Sequence, residues 1–78
     1  MSQYEKLVQR VMALDKNLRF DELKKILVRL GYSAEKDNSG SHYTFRKKGC
    51  YPITIPYSYP VKRCYVEMVK EILEMEDD

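Results

Sequence analysis

The chain has no tryptophan, a single histidine, two cysteines, and only three glycines and three prolines in 78 residues. Glycine and proline this sparse exclude collagen-like and low-complexity chains. A content of 44% hydrophobic and 33% charged residues excludes a disordered one. No apolar run approaches the roughly 20 residues that cross a bilayer. The longest uncharged stretch, Gly49 to Val61, holds all three prolines and several polar residues. Met1-Ser2-Gln3-Tyr4-Glu5 opens an amphipathic segment rather than a basic region followed by an apolar run. No signal peptide is therefore expected, and the cytoplasm is the expected compartment. The length is about half that of a typical domain, which predicts one small domain over 1–78 with a thin core and no deep catalytic cavity.

Cysteine and histidine are also too few for a structural zinc site. Such a site takes four ligands, and Cys50, Cys64 and His42 make three. No Cys-x-x-Cys pair occurs, so both cysteines are expected to be reduced. No Gly-rich phosphate loop or nucleotide fingerprint is present. Neither a metal nor a cofactor is expected.

What the chain does have is uneven charge. The net charge is only +2, but Arg19 to Arg63 carries +6 and Cys64 to Asp78 carries −5. The basic middle could face phosphate; the acidic end reads as a solvated helix terminus or a contact for a basic partner.

Hydrophobic spacing predicts the elements. Leu7, Val8, Val11, Met12 and Leu14 recur at helical intervals over about Gln3 to Leu14, and Asp15-Lys16-Asn17 breaks the pattern. A second helix follows, with Phe20, Leu23, Ile26, Leu27 and Leu30 on one side and Gly31 as a left-handed stop. The period then changes to two. Tyr32–Lys36 is a weak strand, Asp37-Asn38-Ser39-Gly40 a turn, Ser41–Lys47 a better strand, and Tyr51–Ile55 a third that Pro56 ends. A last helix is expected from about Val61 to Met75. The order is α-α-β-β-β-α, an α+β chain with a three-stranded antiparallel sheet and helices on one face.

Alternation assigns faces. With Tyr43, Phe45, Ile53 and Ile55 turned to the helices, His42, Thr44, Arg46 and Thr54 face out. The only imidazole then stands on an open sheet surface beside Thr44, Thr54 and the Arg46 guanidinium. An imidazole titrates near neutrality and serves as proton donor or acceptor, although a lone exposed histidine more often has no particular role. Neither cysteine is set near it by sequence, and no Asp/Glu cluster accompanies it. Gly40-Ser41 offers backbone N–H groups and a hydroxyl to an anion, or simply closes a hairpin. Tyr57 and Tyr59 could stack on bases or pack against Pro56 and Pro60. Lys62 and Arg63 fall in the first turn of the last helix, where the macrodipole disfavours cations and an anion would relieve them.

Leu30-Gly31-Tyr32, then Gly40-Ser41-His42-Tyr43-Thr44-Phe45-Arg46, then Ile53-Thr54-Ile55-Pro56, then Val61-Lys62-Arg63-Cys64-Tyr65-Val66 together resemble the HicA toxins, the RNA-cleaving partners in HicA–HicB type II toxin–antitoxin systems. The resemblance covers about residues 19–75 and leaves 1–18 as an N-terminal helical extension. It implies a double-stranded-RNA-binding-domain-like fold and an endoribonuclease (mRNA interferase) with His42 as its catalytic residue. It also implies a HicB-like antitoxin that covers this surface. Tyr57 stands where many members carry a second histidine.

RNA supplies its own nucleophile, the 2′-hydroxyl, so one imidazole with charge stabilisation suffices for slow, metal-independent cleavage. His42 is the expected base or acid. Gly40, Ser41, Thr44, Arg46, Lys47, Lys48 and Lys62 are the expected RNA contacts. The competing expectations are a non-catalytic RNA-binding module and a protein-interaction domain.

Overall fold

In the computed structural model, residues 2–38 and 40–76 are described, Glu76 by its backbone alone. Ser39, in the predicted turn, lies outside them.

Helix α1 (Gln3–Met12) begins where the Ser2 hydroxyl accepts the Glu5 N–H at 3.2 Å. It ends two residues before the expected Leu14. Leu14 takes a left-handed φ of 55°, the Asp15 N–H reaches back to the Arg10 carbonyl (3.0 Å), and the Leu14 N–H bonds the Val11 carbonyl (2.9 Å). This is a Schellman stop with leucine where glycine is usual. The backbone strain is offset by the packing of the Leu14 side chain against the core.

Helix α2 (Phe20–Arg29) opens with the Glu22 carboxylate accepting the Arg19 N–H at 2.9 Å. It closes through the same device, now with glycine. Gly31 sits at φ 102°, and the Tyr32 N–H bonds the Leu27 carbonyl at 3.0 Å. The reversal at Gly31 sends the chain directly into the sheet.

Strands β1 (Ser33–Lys36), β2 (His42–Arg46) and β3 (Ile53–Pro56) form an antiparallel meander in the order β1-β2-β3. The register pairs Lys36 with Tyr43, Thr44 with Thr54 and His42 with Pro56. Helix α3 (Arg63–Glu76) starts two residues later than the periodicity suggested. The Val61 N–H is committed to the Leu18 carbonyl (3.0 Å) and its side chain is buried, while the Lys62 carbonyl receives the Tyr65 and Val66 N–H groups.

The chain is therefore α+β, with three helices and a three-stranded antiparallel sheet. Phe45, Ile53 and Ile55 of the sheet are buried with Phe20, Leu23, Ile26 and Leu27 of α2 and Val66 and Val69 of α3. α1 adds Val11, fully buried, so the first helix belongs to the same core. His42, Arg46, Thr54, Ser33 and Glu35 are exposed on the other face of the sheet. Among the described residues no helix is long and apolar enough to cross a membrane.

Candidate active site

The open face follows from strand alternation: every residue flanking a buried one on β2 and β3 must point away from the helices. His42 opens β2 on this face, with its side chain half exposed. Its ring is held from one side. Nδ1 lies 3.1 Å from the Ser41 hydroxyl and 3.6 Å from Asp37 Oδ2. Among the described residues no hydrogen bond or ion pair to Nε2 is found.

Asp37 is the residue that sequence reasoning missed. It was assigned to a turn, yet the β1–β2 register brings it directly opposite His42. Its backbone N–H donates to the His42 carbonyl at 3.0 Å. Directly opposed residues in an antiparallel pair share a face, which places the carboxylate beside the imidazole. The other carboxylate oxygen, Oδ1, accepts the Gly40 N–H at 2.8 Å, so the side chain is tied across its own turn. Asp-x-x-x-x-His closing a hairpin was the available signal, legible only once the strand ends were fixed.

Gly40 reaches this turn at φ +77°, a conformation suited to glycine. A methyl group there would lie 3.1 Å from Lys36 Cε and 3.6 Å from its Nζ. Lys36 is thus the ammonium at the mouth of the hairpin, and it was counted only in the bulk charge.

The remaining expected contacts spread along the sheet. The Thr44 and Thr54 hydroxyls meet at 3.4 Å in mid-face. Arg46 is on the same face as His42 but four residues along, roughly 13 Å at strand rise. Its Nε is paired with Glu35 at 3.2 Å. Arg46 and Lys48 line a shallow groove of about 370 Å³ with Ser33, Glu35, Cys50 and Pro52. Lys47 also borders this groove, but its ammonium lies 5.6 Å from the centre of the Tyr32 ring. Lys62 precedes α3 and borders a different groove, with Leu14, Asp15 and Lys16. Arg63, the other cation of that turn, is paired with Glu67 at 3.0 Å, which relieves its unfavourable position without an anion. The structure therefore brings together His42, Ser41, Gly40 and Asp37, with Thr44 further along the same face; Lys36 pairs with Tyr43 on the opposite face, Arg46 and Lys48 line one groove, and Lys62 borders another.

Among the described residues no three His, Cys, Asp or Glu side chains converge as a metal would require. Cys50 and Cys64 are free, exposed thiols. The chain has no match among known protein families, curated proteins or solved structures.

Proposed function

We propose that the chain is a HicA-like toxin, a metal- and cofactor-independent endoribonuclease that cleaves mRNA in the cytoplasm and is held in check by a HicB-like antitoxin. The supporting observation is the half-exposed His42, with Nδ1 beside Ser41 and Asp37. The β-β-β-α succession after α2 agrees with the double-stranded-RNA-binding-domain-like fold of that family.

In this proposal Nε2 takes the proton of the 2′-hydroxyl. The 2′-oxygen attacks the adjacent phosphorus, the P–O5′ bond breaks, and a proton is returned to O5′. The products are a 2′,3′-cyclic phosphate and a 5′-hydroxyl, so atoms and charge balance without a water being consumed. Asp37 stabilises the imidazolium formed when His42 accepts the proton, and Gly40–Ser41 face the phosphate. A single imidazole contributes about 10²–10⁴-fold and serves the base and acid steps less well than two, so slow turnover is expected.

The test is cleavage of a long mixed-sequence RNA in chelator by the wild type and by His42→Ala. Scission by the wild type alone supports the proposal. Equal scission by both removes His42 from the chemistry, and loss of activity in chelator removes metal independence. Intact RNA with both proteins favours a non-catalytic RNA-binding module if affinity is salt-dependent, and a protein-interaction domain if RNA does not bind.

A further inference from the structure

We infer that Tyr57 and Tyr59 form a stacking subsite for unpaired bases of RNA, next to the phosphate served by His42; this rests on the RNA reading above and specifies its substrate as single-stranded.

The subsite follows from the strand register. The Tyr57 N–H donates to the Ser41 carbonyl at 2.8 Å, continuing the β2–β3 pairing one step beyond His42 and Pro56. Alternation then sends the Tyr57 ring to the face opposite His42, beside Tyr43. There it packs against Phe20 (ring centroids 5.1 Å apart) and Tyr43 (6.2 Å), yet it remains 57% exposed. Tyr59 is 61% exposed, and the Arg19 guanidinium lies over its ring at 4.8 Å. Neither tyrosine belongs to the core or to the partly buried side chains packed on it. Both rings line a narrow slot of about 100 Å³ with Arg19, Phe20, Asp21 and Ser58.

Two large aromatic rings left open in one loop are poorly explained by packing. Their surroundings match the chemistry of a polyanion bearing flat rings. Arg19 over Tyr59 and Lys24 over Tyr43 (5.5 Å) supply positive charge at the ring surfaces, and the uncovered parts of the rings supply stacking area. A paired base is already stacked within its helix, so only an unpaired one reaches such a platform. The slot and Nε2 lie on opposite faces of the same strand end. An RNA strand with its phosphate at His42 therefore passes over Pro56 to place a neighbouring base on Tyr57.

The test is equilibrium binding of a short single-stranded RNA and of an abasic ribose-phosphate oligomer of the same length, measured by fluorescence anisotropy. The full chain carrying His42→Ala is used so that scission does not intervene. Adding Tyr57→Leu, which keeps apolar packing on Phe20, is expected to weaken RNA binding about 5- to 150-fold and leave the abasic oligomer unchanged. Tyr57→Phe is expected to bind as the parent does. Tyr59→Ala, at a site with less packing, gives the same comparison if Tyr57→Leu fails to fold. Equal losses on both oligomers, or no loss on RNA, overturn the subsite and leave these tyrosines to a protein partner while the RNA reading stands. Failure of the parent to bind either oligomer at low salt overturns the RNA reading itself.

Discussion

Asp37→Asn isolates the charge of the carboxylate from its shape. The amide oxygen can still accept the Gly40 N–H that Asp37 Oδ1 holds at 2.8 Å, so the turn should persist. What disappears is the negative charge 3.6 Å from His42 Nδ1. At that separation two unit charges interact by about 1 kcal/mol in the bulk-water limit, and by several at an effective dielectric near 20. The side chains of His42 and Asp37 are 50% and 39% exposed, so the water limit applies. The charge acts only once the imidazole has taken up a proton, so the loss falls on kcat and leaves KM nearly unchanged. About fivefold slower cleavage is expected. Asp37→Ala removes the same charge and should slow cleavage about equally, because the Gly40 N–H keeps the Asp37 backbone carbonyl as acceptor at 3.1 Å.

A second readout is independent of catalysis. Nitrogen-15 chemical shifts of the neutral ring report which nitrogen carries the proton. Asp37 should favour the Nδ1–H tautomer, with Nε2 free as the base, and Asp37→Asn should reduce that bias. If Asp37→Asn and Asp37→Ala both cleave at the wild-type rate with unchanged ring shifts, Asp37 is a turn residue and the buttressing of His42 is refuted. If the ring shifts respond but the rate does not, proton transfer does not limit turnover, and the fivefold figure is wrong.

Phe45→Ala empties a fully buried site between sheet and helices and should cost about 3–5 kcal/mol, measured by urea unfolding. A chain of this size has only about 4–12 kcal/mol in all, so the variant should be close to unfolding. Gly40→Ala places a side chain at φ +77°, at a cost of about 1–2 kcal/mol, and presses on Lys36; unchanged stability would mean that the turn adapts freely. The Asn17 backbone N–H, then Arg10, hold the Asp15 carboxyl below its usual range, while the same contact with Asp15 raises Arg10. The folded pKa of Asp15 is the lower one, so its contribution to stability is complete above the ordinary aspartate range and is lost as pH falls through it. The urea midpoint should hold from neutrality to about pH 5 and decline below about pH 4, less steeply in Asp15→Asn. Glu35→Gln unpairs Arg46 on the open face and should tighten RNA binding, with the salt slope steeper by about 0.7; an unchanged slope would mean that no phosphate reaches Arg46.

The parts of the fold that were legible in the sequence are those set by spacing alone. A two-residue period on β2 and β3 put Phe45, Ile53 and Ile55 inside and His42, Arg46 and Thr54 outside, because one face of a three-stranded sheet must carry the core. Gly31 marked the end of α2 because glycine enters the left-handed region without a side-chain penalty. Leu14 makes the same reversal at the end of α1 but carried no such mark; only the fit of its side chain to the core, a tertiary property, makes the conformation affordable. The start of α3 was hidden for a similar reason, since the partner of the Val61 N–H is Leu18, far away in sequence.

The site divides along the same line. The face of His42 is a local property, and it was legible. Its neighbours are a matter of register, and register depends on where the hairpin turns. Asp37 looked like part of a polar turn; opposite His42, its carboxylate comes within 3.6 Å of the imidazole. Arg46 shows the converse. Its shared face suggested proximity, but it lies four positions along the strand from His42, and Glu35 engages it. The basic balance of the middle of the chain is redistributed in the same way. Arg46 and Arg63 are in ion pairs, and Arg19, Lys24, Arg29 and Lys47 lie over tyrosine rings. A cation over a ring keeps its charge, so basic and aromatic side chains share these surface positions. On the proposed reading, stacking and phosphate attraction would act on the same stretch of RNA at the hairpin end, where the only imidazole stands.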